Sequence, residues 1–229
     1  MTLLSAKLQA VLARIASAAR QYGRDPAEVR LVAVSKTWPA ACVREAALAG
    51  QTAFGESFVQ EGLDKASELH ALGLDWHFIG SVQSNKTRLL AENFDWVHSV
   101  DRLRIAERLS EQRPASLPPL SVCVQVNVSG EASKGGVCPA AASALAQAVA
   151  LLPNLRLRGL MTVPARSDGF LEQRRPFRLL RQLSEQLQAG GLALDTLSMG
   201  MSHDLEAAIA EGATLVRVGT AIFGERHKA

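Results

Sequence analysis

Eight short runs dense in apolar residues recur along the chain: Leu31–Ser35, Thr52–Gly55, Trp76–Gly80, Trp96–Val100, Leu120–Val128, Leu155–Met161, Leu194–Met199 and Leu215–Gly219. Most are nearly continuous in apolar character, as expected of parallel strands buried on both faces. Between them lie longer segments with helical start and stop signals. Pro39–Leu48 opens on proline and stops at Gly50, and Phe58–Leu72 stops at Gly73. Ser84 and Asp101 read as caps for Asn85–Glu92 and Arg102–Gln112. Pro139–Leu151 is Ala-rich, Phe170–Gln188 ends at Gly190 and Gly191, and Ser202 or His203 opens a helix through Ala210. Repeated β-to-α-to-β crossovers predict a parallel sheet. Eight strands in 229 residues predict a closed (β/α)8 TIM-type barrel, with an open doubly wound sheet as the alternative.

The segment before the first strand has Leu4, Leu8, Val11, Ile15 and Tyr22 on one side at helical spacing. After the eighth strand only Thr220–Ala229 follow, too short for a full outer helix. The extra N-terminal helix, within Met1–Arg20, is expected to cover the surface such a helix would protect. No linker or composition shift divides the chain, so residues 1–229 read as a single domain.

Composition narrows the function classes. Hydrophobic residues make up 48% and charged residues 21%, which excludes a disordered chain. The net charge of +3 is mild, and basic residues are interspersed with acids apart from Arg174, Arg175 and Arg178. With only 5% aromatic residues as well, no nucleic-acid face is expected. Apolar stretches are too short to span a membrane. Lys7, Arg14 and Arg20 are spread through the N-terminal segment, which reads as a helix and not as a signal peptide. Cys42, Cys123 and Cys138 are odd in number and lack metal-ligand spacing, so they read as reduced thiols in a cytoplasmic protein that holds no metal.

Barrel chemistry sits at the C-terminal ends of the strands. Lys36 follows Leu-Val-Ala-Val-Ser, so a parallel strand carries it to the mouth. A partly desolvated lysine there could form a Schiff base with an aldehyde; a solvated strand-end lysine is the bland alternative. Ser198–Ser202 and Gly219-Thr220 close the last two strands with small residues and free N–H groups, which suit either a phosphate or ordinary turn chemistry. Together with Lys36 they point to a phosphorylated aldehyde, of which pyridoxal 5′-phosphate is the common one. Arg217 lies in an apolar strand, either bonded to a ring nitrogen or paired with an acid such as Glu225. His77, between Trp76 and Phe78, reads as a satisfied core histidine, and His98 and His203 have no partner at recognisable spacing.

These residues resemble the pyridoxal phosphate homeostasis proteins, which share the fold of the alanine racemase N-terminal domain. The resemblance runs from Leu31 to Glu225. It rests on Val-Ala-Val-Ser-Lys36, Phe-Gly-Glu56, His77-Phe-Ile-Gly, Gln83-Ser-Asn-Lys86, Val126-Asn-Val-Ser-Gly-Glu131, Lys134, Gly159-Leu-Met161, Ser198-Met-Gly-Met-Ser202 and Val216-Arg-Val-Gly-Thr220. It implies pyridoxal phosphate held as a Schiff base on Lys36, Arg217 against the pyridine nitrogen, and phosphate around Ser198, Gly219 and Thr220. Ser202, Met161 and Ser57 complete the expected cofactor site. Ser57 stands where the family usually has Asn, and His203 where many members have Asp.

The resemblance also implies a role in buffering or delivering the cofactor, with apo-enzymes as recipients and no catalytic residue. The alternative is a small amino-acid racemase. A two-base racemase needs an acid/base group on each face of the bound substrate. Tyr22, the single tyrosine, lies in the N-terminal segment, and no second domain is expected after the eighth strand. An arginine at the ring nitrogen also leaves the ring a weaker electron sink. A carrier acting as a monomer is therefore expected. A barrel acting on a sugar phosphate is a third alternative.

Overall fold

The computed structural model describes residues 2–131 and 133–225. Met1, at the head of the predicted N-terminal helix, and the tail 226–229 lie outside the described residues. Eight parallel strands close into a barrel in chain order: β1 (Arg30–Val34), β2 (Ala53–Glu56), β3 (Asp75–Phe78), β4 (Trp96–Val100), β5 (Leu120–Gln125), β6 (Leu155–Met161), β7 (Thr196–Ser198) and β8 (Leu215–Val218). Closure is made by β8 against β1, with Val32 opposite Arg217. The closed barrel, and not the open sheet, is the architecture.

Helices α1 (Leu3–Gln21) to α9 (Thr220–Phe223) surround the barrel. Between these two lie α2 (Ala40–Leu48), α3 (Val59–Glu68), α4 (Thr87–Asn93), α5 (Leu103–Gln112), α6 (Pro139–Ala150), α7 (Phe170–Ala189) and α8 (Leu205–Ala210). Helix α1 buries Leu8, Val11, Ile15, Ala18 and Ala19 and packs against α2, α8 and α9, the side of the barrel where the N-terminal helix was expected. Some predicted helix ends shift. Asp101 does not cap α5: its carboxylate pairs with Arg102, and the cap position itself is Arg102, whose side chain makes no capping bond. Ser84 starts a single 3-10 turn, and α4 begins only at Thr87.

The strands are buried on both faces, but the two faces differ. Leu31, Ala33, Phe54, Trp76, Phe78, Val97, Val122, Val124, Leu160, Leu197, Val216 and Val218 join the large core between sheet and helices. The alternate positions point into the barrel, as period-two strands require. Two small apolar clusters sit there: Val32, Ala53 and Leu215, and separately Trp96, Cys123 and Met161. Polar interior positions include His77, His98, Ser198 and Arg217, all buried.

Candidate functional site

Lys36 stands in the turn just past β1, half-buried. The residues on either side of it are clamped. The Ser35 hydroxyl donates to Glu56 Oε1 at 2.7 Å, and the Ser35 carbonyl accepts from Lys65 Nζ at 2.8 Å. The Thr37 N–H donates to Glu61 Oε1 at 2.5 Å. Lys65 Nζ also donates to Glu56 and Glu61, both at 2.7 Å, so all three ammonium protons are used. Burial raises the Glu56 carboxyl above the usual range, against the bonds from Lys65 and Ser35 that lower it. Thr37 takes a left-handed conformation, φ 69°, the one non-glycine to do so among the described residues. Such a conformation persists where its surroundings over-determine it, and here the Glu61 carboxylate holds the Thr37 amide.

Arg217 projects from β8 into the barrel interior and is 4% exposed. Its Nη1 donates to Ser198 Oγ at 2.6 Å and its Nη2 to the Thr162 carbonyl at 2.8 Å. It forms no ion pair among the described residues, so the expected alternative of a pair with Glu225 is absent. Burial lowers its pKa to about 10, which still leaves it charged at neutral pH. Ser198 Oγ lies 2.8 Å from His98 Nδ1, and His98 Nε2 lies 2.8 Å from His77 Nδ1. His77 stacks on Trp96 at 5.3 Å.

A cavity of about 270 Å³ opens at the strand ends between these two features. Lys36, Ser57, Ser202, Arg217, Gly219 and Thr220 all line it, from four separate segments. Val34, Ile79, Val163 and Met201 supply apolar walls, and Arg166 and His203 supply a guanidinium and an imidazole. Two glycines set its shape. A Cβ on Gly219 would fall 3.1 Å from the Val34 carbonyl, a tight contact that a side chain could make only if β1 gave way by a few tenths of an ångström. A Cβ on Gly80 would overlap the Ser57 carbonyl, so the ends of β2 and β3 converge beside Ser57. The loop carrying Met201, Ser202 and His203 is pinned by Asp204, whose Oδ1 accepts the Met201 N–H at 2.6 Å.

Two expected cofactor residues are not at the cavity. Ser198 and Met161 are fully buried and do not line it. The Ser198 hydroxyl is committed to Arg217 and His98, and Met161 packs on Trp96 and Cys123. Sequence reasoning missed Val34, Ile79, Val163, Arg166 and Met201 as cavity residues, and read His203 as a helix opener without a partner and as a family departure. A wider groove of about 370 Å³ shares Arg166 and runs past Ser129, Glu172 and Arg175, but no lysine lines it. The described residues contain no cluster of three or more His, Cys, Asp or Glu side chains suited to a metal, and none of their helices is long and apolar enough to cross a membrane.

A closed parallel barrel with a lysine just past β1 and a buried arginine in β8, both on one mouth cavity, defines the class of barrels built like the N-terminal half of alanine racemase. The chain belongs to the alanine racemase N-terminal domain family, which it matches over residues 6–227, and within it to the pyridoxal phosphate homeostasis proteins. The pyridoxal phosphate homeostasis protein of Pseudomonas aeruginosa is 62% identical over 226 residues, covering 99% of this chain and 97% of that one. The Escherichia coli protein of the same name is 55% identical, covering 93% and 92%. The structure of PipY from Synechococcus elongatus with pyridoxal phosphate bound has a TM-score of 0.80 at 41% identity, covering 92% of this chain and 100% of that one. Alanine racemase from Corynebacterium glutamicum, at 18% identity and a TM-score of 0.69, covers 97% of this chain and 62% of that one, a likeness of fold alone.

Proposed function

We propose that this chain binds pyridoxal 5′-phosphate in the mouth cavity through Lys36, and that it stores and hands on the cofactor without turnover of its own. The observation that carries the reading is one cavity lined by a lysine, a buried arginine and a group of small donors. The donor set suits the ligand. Lys36 supplies the amine that meets the aldehyde. Arg217 holds the ring nitrogen as an acceptor. Ser202, Gly219, Thr220 and Arg166 receive the phosphate, while Ser57 and the Val34, Ile79 and Val163 walls flank the ring. Ser198 serves Arg217 and not the phosphate. When bound, the cofactor supplies an electrophilic carbon and an electron-accepting ring. An arginine at the nitrogen keeps that ring unprotonated and so a weak electron sink, which favours storage over chemistry. On this reading the chain is a single-domain, cytoplasmic monomer that serves apo-enzymes.

One observation favours a second reading, a racemase-like enzyme: His203 lines the same cavity as Lys36 and could serve as a second base. The two separate in one set of assays. The carrier reading expects a visible absorption band on cofactor addition, borohydride fixation to a peptide containing Lys36, reactivation of a pyridoxal phosphate-requiring apo-enzyme, and negligible turnover of L- or D-amino acids. Fixation only to another lysine overturns the site. Multiple turnovers on the order of 1 per second, abolished by both Lys36→Ala and His203→Ala, establish the enzyme instead.

A further inference from the structure

The barrel interior holds a chain of buried polar side chains that cofactor contact alone does not explain. It runs from His77 on β3 through His98 on β4 and Ser198 on β7 to Arg217 on β8, crossing the interior. Barrel interiors are ordinarily filled by branched apolar side chains, and burying polar groups costs free energy unless each is bonded. We propose that His98 and His77 are positioning residues which, through the Ser198 hydroxyl, hold Arg217 in its orientation toward the mouth cavity. The proposal rests on the reading of that cavity given above.

Counting protons gives the chain a direction. Arg217 Nη1 donates to Ser198 Oγ, and the other partner of that oxygen is His98 Nδ1. The Ser198 proton therefore has its acceptor in His98 Nδ1. His98 carries its own proton on Nε2 and donates it to His77 Nδ1. His77 then carries its proton on Nε2, an atom that is buried without a partner among the described residues. The opposite direction would strand two groups, the Ser198 proton and the His77 Nε2 lone pair, where this one strands a single N–H. Both imidazoles must be neutral for the chain to work. Burial and the Arg217 charge hold His98 at about 3, and burial and His98 hold His77 well below the usual range. A serine whose proton is committed to His98 presents only lone pairs to Arg217, so the guanidinium is gripped from one side by Ser198 and from another by the Thr162 carbonyl.

Two measurements test this, one of them independent of the cofactor. Long-range proton–nitrogen NMR on the cofactor-free protein at pH 7, labelled at histidine, should find His77 and His98 neutral with the proton on Nε2. An Nδ1-protonated or charged ring at either position overturns the relay. A double-mutant cycle then reads pyridoxal phosphate affinity and the absorption maximum of the bound cofactor in wild type, His98→Phe, Arg217→Lys and the double variant. His98→Phe should weaken binding about tenfold and move the absorption maximum in wild type, and should do neither once Arg217 is replaced. An equal loss in both backgrounds, or no loss in either, overturns the positioning role. If His98→Phe does not fold, Ser198→Ala enters the same cycle with the same expectation. If wild type takes up no cofactor, the reading of the cavity fails on its own, and the relay stands or falls on the imidazole protons.

Discussion

Val32 of β1 lies directly opposite Arg217 of β8, and this single pairing assembles the site. Lys36 follows Val32 by four residues, so the register that closes the barrel carries the lysine turn to the strand ends beside the arginine. Gly219 eases this close approach, because a Cβ there would sit only 3.1 Å from the Val34 carbonyl. The barrel seam and the ligand cavity are thus one construction, and changes on either side of the seam should register in both stability and binding.

Arg217 is the first case. It has a hydroxyl and a carbonyl for partners, with no carboxylate in reach of an ion pair among the described residues. Arg217→Glu should therefore change the absorption spectrum of the bound cofactor, because a carboxylate favours a protonated ring nitrogen. It should also destabilise the protein by roughly 3–5 kcal/mol, the scale of an uncompensated buried charge. Spectra and urea melts on one sample check both; loss of stability with an unchanged spectrum would make Arg217 a structural residue only.

The phosphate prediction follows from the small donors around Gly219. Hydrogen bonds to a charged group are worth about 1.5–3 kcal/mol each, and at least two are available from Ser202, Gly219 and Thr220. Pyridoxal without its phosphate should bind at least ~100-fold more weakly, at ~1.4 kcal/mol per tenfold. Titration of both compounds by absorbance decides it, and equal affinities would place the phosphate elsewhere. Ser198→Ala should weaken both compounds alike, since its hydroxyl serves Arg217.

The third prediction concerns the clamp under Lys36. Lys65 is the sole cation bridging Glu56 and Glu61 among the described residues, and it also holds the Ser35 carbonyl. Lys65→Met leaves two carboxylates unpaired, Glu56 among them fully buried. The expected loss is about 3–5 kcal/mol, with partial recovery in Lys65→Met/Glu56→Gln. Because the Ser35 carbonyl loses its donor and Glu61, which holds the Thr37 amide, loses its cation, borohydride fixation of the cofactor at Lys36 should also slow in the double variant. A melt within 1 kcal/mol of wild type in the single variant would show that the clamp contributes little.

Much of this was legible in the sequence because strands buried on both sides read as unbroken apolar runs. Trp96–Val100 and Leu155–Met161 were found to the residue, and the strand count led to the closed barrel. The same two-sided burial hid the interior. In an unbroken run nothing marks which alternate residues point inward, so His77 read as an ordinary core histidine and His98 as partnerless. Their partners are also far apart in the chain: 21 residues from His77 to His98 and 100 from His98 to Ser198. No local spacing rule spans such gaps. Ser198 reads as a phosphate donor because it closes β7 among small residues; in the structure its hydroxyl is buried and bonded to Arg217 and His98. Asp101 had the residue type of a helix cap, but Arg102 beside it takes the carboxylate.

The neutral histidine pair also sets an acid limit. His98 titrates at about 3 in the folded protein, lowered first by burial and then by Arg217 and Arg30. In the unfolded chain it should titrate near the ordinary value of about 6.5. Between those two values the unfolded state binds a proton that the folded state does not, so stability must fall as pH falls from about 6.5 toward 3. The slope is about 1.4 kcal/mol per pH unit, or about 2 kcal/mol lost by pH 5 through His98 alone. His77, lowered in the same direction, adds to this. Other groups act in the same range with mixed sign. The Glu56 carboxyl is raised by burial and gains protons in the folded state, while Glu211, held low by its bonds to Arg178 and Arg174 despite burial, loses stabilisation only at more acid pH. Comparing wild type with His98→Gln cancels these shared contributions. Urea unfolding at pH 7 and pH 5 should show wild type losing about 2 kcal/mol more than His98→Gln over that interval. The same drop in both proteins would mean that His98 is already protonated in the folded state, and that the interior relay is not a chain of neutral rings.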